Sequence, residues 1–210
     1  MNIFFLSTCP ALCALFHCDK HVVKMILETT QLLWSAHHVL RGPSEAWSDL
    51  VPKTVKVYRL THTNHPMSIW VRKDPENYTW TCRLGLELCK EYSRRFKSRT
   101  HACQVILEFL SMHTPFPEAC SEIPGSGRKR KTSLQGPGPL TKKRKTTTKT
   151  QLCTSGYPMN TTPPPLCMDV EYITGHDLVQ SYRNYYKKGK KDIAQWKHGK
   201  KPEWFAPLQV

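Results

Sequence analysis

Residues 20–40 can form a helix that is apolar almost all round, and this limits what the chain can fold into. At 100° per residue, His21, Lys24, Glu28, Gln31 and Ser35 fall within an arc of about 80°. Val22, Val23, Met25, Ile26, Leu27, Leu32, Leu33 and Trp34 occupy most of the remaining circumference. A surface helix has a wide polar face, so this one needs neighbours on most sides. The pattern predicts a buried helix in a mainly α fold, with its narrow ionisable seam lining a cleft. Asp19 is the expected N-cap, and Gly42-Pro43 the stop.

The neighbours are legible too. Residues 2–6 form an apolar run that suits a short strand or extended lead-in. Pro10 fits the first position of a short helix capped by Thr8 or Cys9. Helices are expected over residues 53–60, from His65-Pro66 to Arg72, and over residues 101–111. Asp74-Pro75-Glu76 combines a capping acid, a first-position proline and an acid in the first turn, and opens a helix to about Arg95.

From Ser121 to about Leu166 the composition turns to Pro, Gly, Ser, Thr, Lys and Arg. Such a segment buries too little apolar surface to offset the entropy of ordering it. The expected organisation is a helical core over residues 1–120, a disordered basic insert over 121–168, and a helix with an aromatic and basic tail over 169–210. The tail should dock back on the core, because its Trp and Tyr would otherwise face water. This amounts to one helical domain with a short N-terminal extended segment and a disordered insert.

The formal charge of +15 and pI near 9.5 point to a polyanionic partner, DNA before others. Two basic clusters in the insert, Arg128, Lys129, Arg130, Lys131 and Lys142, Lys143, Arg144, Lys145, look like a bipartite nuclear import signal read by an import receptor. They predict a host-cell nuclear location. The chain has 9 Cys and no Cys-x-x-Cys pair, which reads as reduced, mostly buried thiols. The apolar start lacks a basic leader region and is split by Pro10, so it is not expected to be a targeting segment, and no run is long enough to cross a membrane.

Lys24 and Glu28 stand four residues apart with His21 one turn earlier. A lysine, a carboxylate and a histidine in a partly dry cleft shift one another's pKa values, as acid–base or amine chemistry requires. The alternative is a structural salt bridge beside a core histidine. His62, Asn64 and His65 precede a helix start, a natural seat for phosphate, and equally a capping turn. In the tail, Tyr182, Arg183, Lys187, Lys188, Lys197 and Trp204 interleave rings and cations, as surfaces that stack bases and follow a phosphate backbone do. The same rings would also serve as core. Cys9, Cys13, His17 and His21 recur every four residues, but the first and last would lie about 18 Å apart on one helix, too far for one ion. No metal or cofactor is therefore expected.

Two resemblances follow. The run His17-Cys-Asp-Lys-His-Val-Val-Lys-Met-Ile-Leu-Glu28, the Asn64-His65-Pro66 turn, and Tyr182-Arg183-Asn184-Tyr185-Tyr186 with Pro202-Glu203-Trp204 resemble a family of uncharacterised proteins from phages and large DNA viruses. The match covers both ordered pieces and omits the basic insert. The first helix also resembles that of the phage pyrimidine-dimer DNA glycosylases, small all-helical enzymes with an Asp, a His two residues on, and an essential Glu seven residues after the His. Asp19, His21 and Glu28 keep that spacing. The glycosylases use an N-terminal amine on a threonine exposed by methionine removal. Here Asn2 is bulky enough to disfavour that removal, so the resemblance implies the Met1 amine, or a buried Lys24, as nucleophile, and Glu28 as the carboxylate.

The expected function is a viral DNA-processing enzyme of the glycosylase and abasic-site lyase type, using Glu28, Lys24, His21 and Met1. One alternative is a non-enzymatic nuclear DNA-binding protein. Another is a metal-dependent nuclease using His21, Glu28, His62 and His65.

Overall fold

The computed structural model describes residues 1–42, 48–117 and 160–205, and among them the protein is mainly helical with no strand. Six helices carry the fold: α1 (Pro10–Phe16), α2 (Asp19–Arg41), α3 (Pro66–Lys73), α4 (Pro75–Arg95), α5 (Gln104–Met112) and α6 (Leu178–Gly189). The residues before Phe116 and the described residues from 160 onward form one helical body. The basic clusters at 128–131 and 142–145 lie outside the described residues.

At the centre α2 packs against α3, α4 and α5, and α4 packs against α1, α3 and α5. Val22, Ile26, Leu32, Leu33 and Trp34 of α2 are fully buried. The helix is less enclosed than its sequence suggests, since Val23, Leu27, Val39 and Leu40 keep a third or more of their surface exposed. α4 comes close to α2 and α5 at Gly85, where a Cβ would stand 2.8 Å from Leu107 and 3.2 Å from Thr29. Any larger residue there would force the Leu107 and Thr29 side chains to give way.

The helix-start signals hold at α3 and α4. His65 caps α3 through Nδ1, which accepts from Met67 N–H, and the Asp74 carboxylate accepts from Glu76 N–H at 3.0 Å. Pro10 opens α1 as expected, but neither Thr8 nor Cys9 caps it with a side chain. Asp19 is not a cap. It is the first residue of α2, behind Cys18, and its carboxylate accepts from Arg95 and from His198 N–H. Gly42 ends α2 at φ 83°, a left-handed conformation that glycine adopts without strain.

No helix forms over residues 53–60. Val55 N–H closes a turn onto Pro52, and the chain then runs to Thr61 without regular secondary structure. Thr54, Val55 and Val57 are β-branched and disfavour a helix, and side chains of α2 take two of the carbonyls. His38 Nε2 bonds Tyr58 O at 2.8 Å, and Ser35 Oγ donates to Thr61 O at 3.1 Å.

The N-terminal run is extended, as one of the two expectations had it, and buried. Phe4 stacks on His21 with ring centres 4.6 Å apart, and Phe5 on Trp80 at 4.7 Å. The tail docks back: Asp19 N–H donates to Gln195 O, and Trp196 Nε1 donates to Phe16 O. Arg95, its side chain wholly buried, gathers this corner by donating to Leu15 O, His17 O, Asp19 and Glu91. Residues 160–168, expected to belong to the insert, are among the described residues. They form a strap in which Thr162 exchanges three hydrogen bonds with Asn77 and Trp70.

The seven described cysteines are unbridged, and five of them are buried. Among the described residues no helix is long and apolar enough to cross a membrane.

Candidate functional site

Met1, Asn2 and Phe4 meet α2, the start of α3, the strap and the end of α6 around a cavity of about 420 Å³. Its polar wall is Lys20, His21, Lys24, Glu28, His65 and Lys190. All four residues expected to be catalytic, Met1, His21, Lys24 and Glu28, therefore share one cavity, and His65 joins them.

Glu28 is the centre of its geometry. Oε1 lies 3.2 Å from Lys24 Nζ, and Oε2 accepts from the backbone N–H of Asn2 at 3.2 Å. The carboxylate is thus half sheltered, its side chain 14% exposed, while the Lys24 side chain is 67% exposed. The sequence reading required a buried Lys24 for it to act as the amine, and the structure puts it in solvent.

The chain start is held in place. The Asn2 amide donates to Cys167 O at 2.9 Å, and its Oδ1 accepts from Ile3 N–H and from the Tyr182 hydroxyl. These bonds fix the residue adjoining the Met1 amine against Glu28.

His21 is a wall of the cavity rather than a free base. Nδ1 bonds the Tyr186 hydroxyl, which also reaches Cys18 Sγ, and Phe4 covers one ring face. Burial, with smaller contributions from His17, Lys190 and Lys24, pushes its pKa down to about 3, so the ring is neutral near pH 7. Behind it His17, fully buried, is pushed down to about 4 by burial above all. His17 Nδ1 bonds Cys13 O, and Nε2 has no partner. His65 is held below its ordinary value, first by burial and then by the Met1 amine and His62, with Glu28 opposing.

The other expected binding residues scatter. Tyr182 is fully buried and its hydroxyl bonds Pro165 O, so it is core and offers no face to a base. Arg183 donates to Leu6 O and lies over the Phe16 and Trp204 rings at 5.6 and 5.2 Å, which spends it on the fold. Trp204 is half-buried and lines a separate apolar cavity with Phe16, Lys200 and Lys201. Lys197 borders a third cavity with Asp19, Lys20 and His198. Lys188 is exposed and Lys187 half-buried, neither with a hydrogen bond among the described residues. His62, at φ 51°, turns onto Thr61, and Asn64 is exposed in the same turn. Of the set His21, Glu28, His62 and His65, three line the cavity and His62 does not, and among the described residues no cluster of three or more His, Cys, Asp or Glu could hold a metal ion.

The sequence did not place Asn2, Tyr186 and Lys190 at this cavity, although Tyr186 and Lys190 stand among the interleaved rings and cations of the tail. Asn2 carries no local signal, because its partners lie 26 and 165 residues away. Tyr186 could have been found, since it lies four residues after Tyr182 on one face of α6.

Comparison of the chain with protein-family models, with curated proteins and with solved structures gives no match.

Proposed function

We propose that the protein processes DNA as a glycosylase or abasic-site lyase, with the Met1 amine as nucleophile and Glu28 as the carboxylate that stabilises the cationic sugar and moves protons. The observation that carries this reading is the hydrogen bond from Asn2 N–H to Glu28 Oε2, which brings the chain start and a sheltered carboxylate to one cavity. The resemblance of the first helix to the phage glycosylases supports the same pairing of groups. The net charge of +15 supports a polyanionic substrate.

At an abasic site the neutral amine adds to the C1′ aldehyde. Water leaves with the former carbonyl oxygen, and a protonated Schiff base forms. Glu28 is the nearby anion for that cation. It then accepts the C2′ proton as the C3′–O bond breaks and the 3′ phosphate leaves. A base still in place would first have to leave the stack. The viral origin and the nuclear location implied by the basic clusters belong to the same proposal.

The test is borohydride trapping on DNA containing one abasic site. The expected result is a covalent adduct that maps to the Met1 peptide and is lost in Glu28→Gln. A folded protein that binds this DNA and gives no adduct would overturn the enzyme and leave a binding protein. That second reading has its own support in the exposed Lys24, since a lysine in solvent paired with a carboxylate four residues on is an ordinary structural feature of a helix.

A further inference from the structure

The stripe of α2 that carries Glu28 continues one turn to Gln31, and Gln31 lines a second cavity of about 380 Å³ with Lys56, Val57, Tyr58, Arg59 and Thr61. No carboxylate lines it. Lys56 and Arg59 are exposed, and the Lys56 ammonium lies over the Tyr58 ring at 5.1 Å. The Gln31 amide and the Arg59 guanidinium make no hydrogen bond among the described residues, as the Arg83 and Arg99 guanidinia make none, whereas Arg41, Arg72, Arg94, Arg95 and Arg183 donate to protein oxygens.

The loop bearing these cations is pinned at three points. Ser35 holds Thr61 O, His38 holds Tyr58 O, and Val55 is buried in the core. The cations therefore sit over a fixed backbone beside α2. Along the helix axis Gln31 lies about 4.5 Å beyond Glu28, on the same face of α2.

We propose that the cavity of Gln31, Lys56 and Arg59 is a phosphodiester subsite, which holds the phosphate next to the nucleotide whose sugar occupies the Glu28 cavity. The proposal rests on the DNA-processing reading and names how that substrate is gripped. Arg59 offers a planar donor pair suited to phosphate, Lys56 a second positive charge, and Gln31 a neutral donor one helical turn beyond Glu28. A strand held there would lie along the seam of α2, and its abasic sugar would be carried past the chain start.

The experiment measures fluorescence anisotropy on an oligonucleotide with one stable abasic analogue. The phosphates on either side are replaced singly by neutral methylphosphonates. The wild-type protein is compared with the double variant Lys56→Gln, Arg59→Gln, whose fold is checked by circular dichroism. One neutralised phosphate should weaken wild-type binding by about tenfold and leave the double variant unchanged. The double variant should also show a salt dependence shallower by about 0.7 to 0.9 in log–log slope, the loss of one phosphate contact. Equal losses in both proteins at every position would overturn the subsite. If wild-type protein traps the abasic adduct and yet shows no such coupling, the subsite alone fails. If it binds no DNA, the functional reading fails with it.

Discussion

Asn2 and Glu28, 26 residues apart, are joined by a 3.2 Å hydrogen bond from the backbone of one to the carboxylate of the other. The bond commits a backbone donor, which no substitution at Asn2 except proline removes. What substitution can remove is the clamp around it, the Asn2 side chain held by Cys167 O, Ile3 N–H and Tyr182. Asn2→Leu keeps a bulky second residue, so the starting methionine is retained. With the clamp gone the Met1 amine should wander by about an ångström. The rate of adduct trapping should fall by about 10²-fold while DNA affinity stays unchanged. Single-turnover trapping beside anisotropy measures both, and an unchanged rate would show that positioning of the chain start does not matter.

Glu28→Gln should cost little stability. Its partner Lys24 is largely solvated, and pairs of this kind contribute about 0.2–1 kcal/mol. The Gln side chain can still accept from Asn2 N–H. Urea unfolding should therefore show a midpoint close to wild type in the same preparation that has lost trapping. A loss of several kcal/mol would instead mark Glu28 as a structural residue.

Arg95 carries a different kind of risk. Its buried side chain satisfies two carbonyls and two carboxylates from three parts of the chain. Arg95→Leu takes the donor from the Leu15 and His17 carbonyls and the buried cation from Asp19 and Glu91, which keep His198 N–H and Arg94, and should destabilise by about 3–5 kcal/mol in urea unfolding. The tail reports on the same corner. A Cβ at Gly199 would stand 2.6 Å from Arg95 Cζ, so Gly199→Ala should loosen the tail and cost about 1–3 kcal/mol.

The sequence was most informative where local chemistry decides structure. Asp74-Pro75-Glu76 starts a helix because cap, proline and acid all act within one turn. The seam of α2 is a periodicity, and it correctly grouped His21, Lys24 and Glu28 on one cavity. It failed where distant partners decide. Residues 53–60 stay non-helical where His38 of α2 takes the Tyr58 carbonyl, and Asp19 pairs with Arg95, 76 residues away, instead of capping α2. Tyr182 and Arg183 have the composition of a nucleic-acid surface, yet strap, N-terminal run and tail claim them. Only the folded chain shows which face of α6 is turned inward.

The buried imidazoles set the acid limit of the fold. His17 is pushed down to about 4, and His21 and His37 to about 3, each chiefly by burial, while the unfolded chain restores about 6.5. Below pH 6.5 the unfolded state therefore binds protons that the folded state refuses, and stability must fall as the pH drops from 6.5 towards 4. At pH 5 unfolding should take up about three protons from these rings, a slope of about 1.4 kcal/mol per pH unit for each. Calorimetry in buffers of different ionisation enthalpy counts those protons directly. Replacing Tyr186 by Phe removes the hydroxyl bonded to His21 Nδ1 and should lower stability by about 1–3 kcal/mol at pH 7. Because the ring would remain buried, the proton count at pH 5 should hardly change. A count that fell by one in Tyr186→Phe would mean that the hydroxyl, and not burial, keeps His21 neutral.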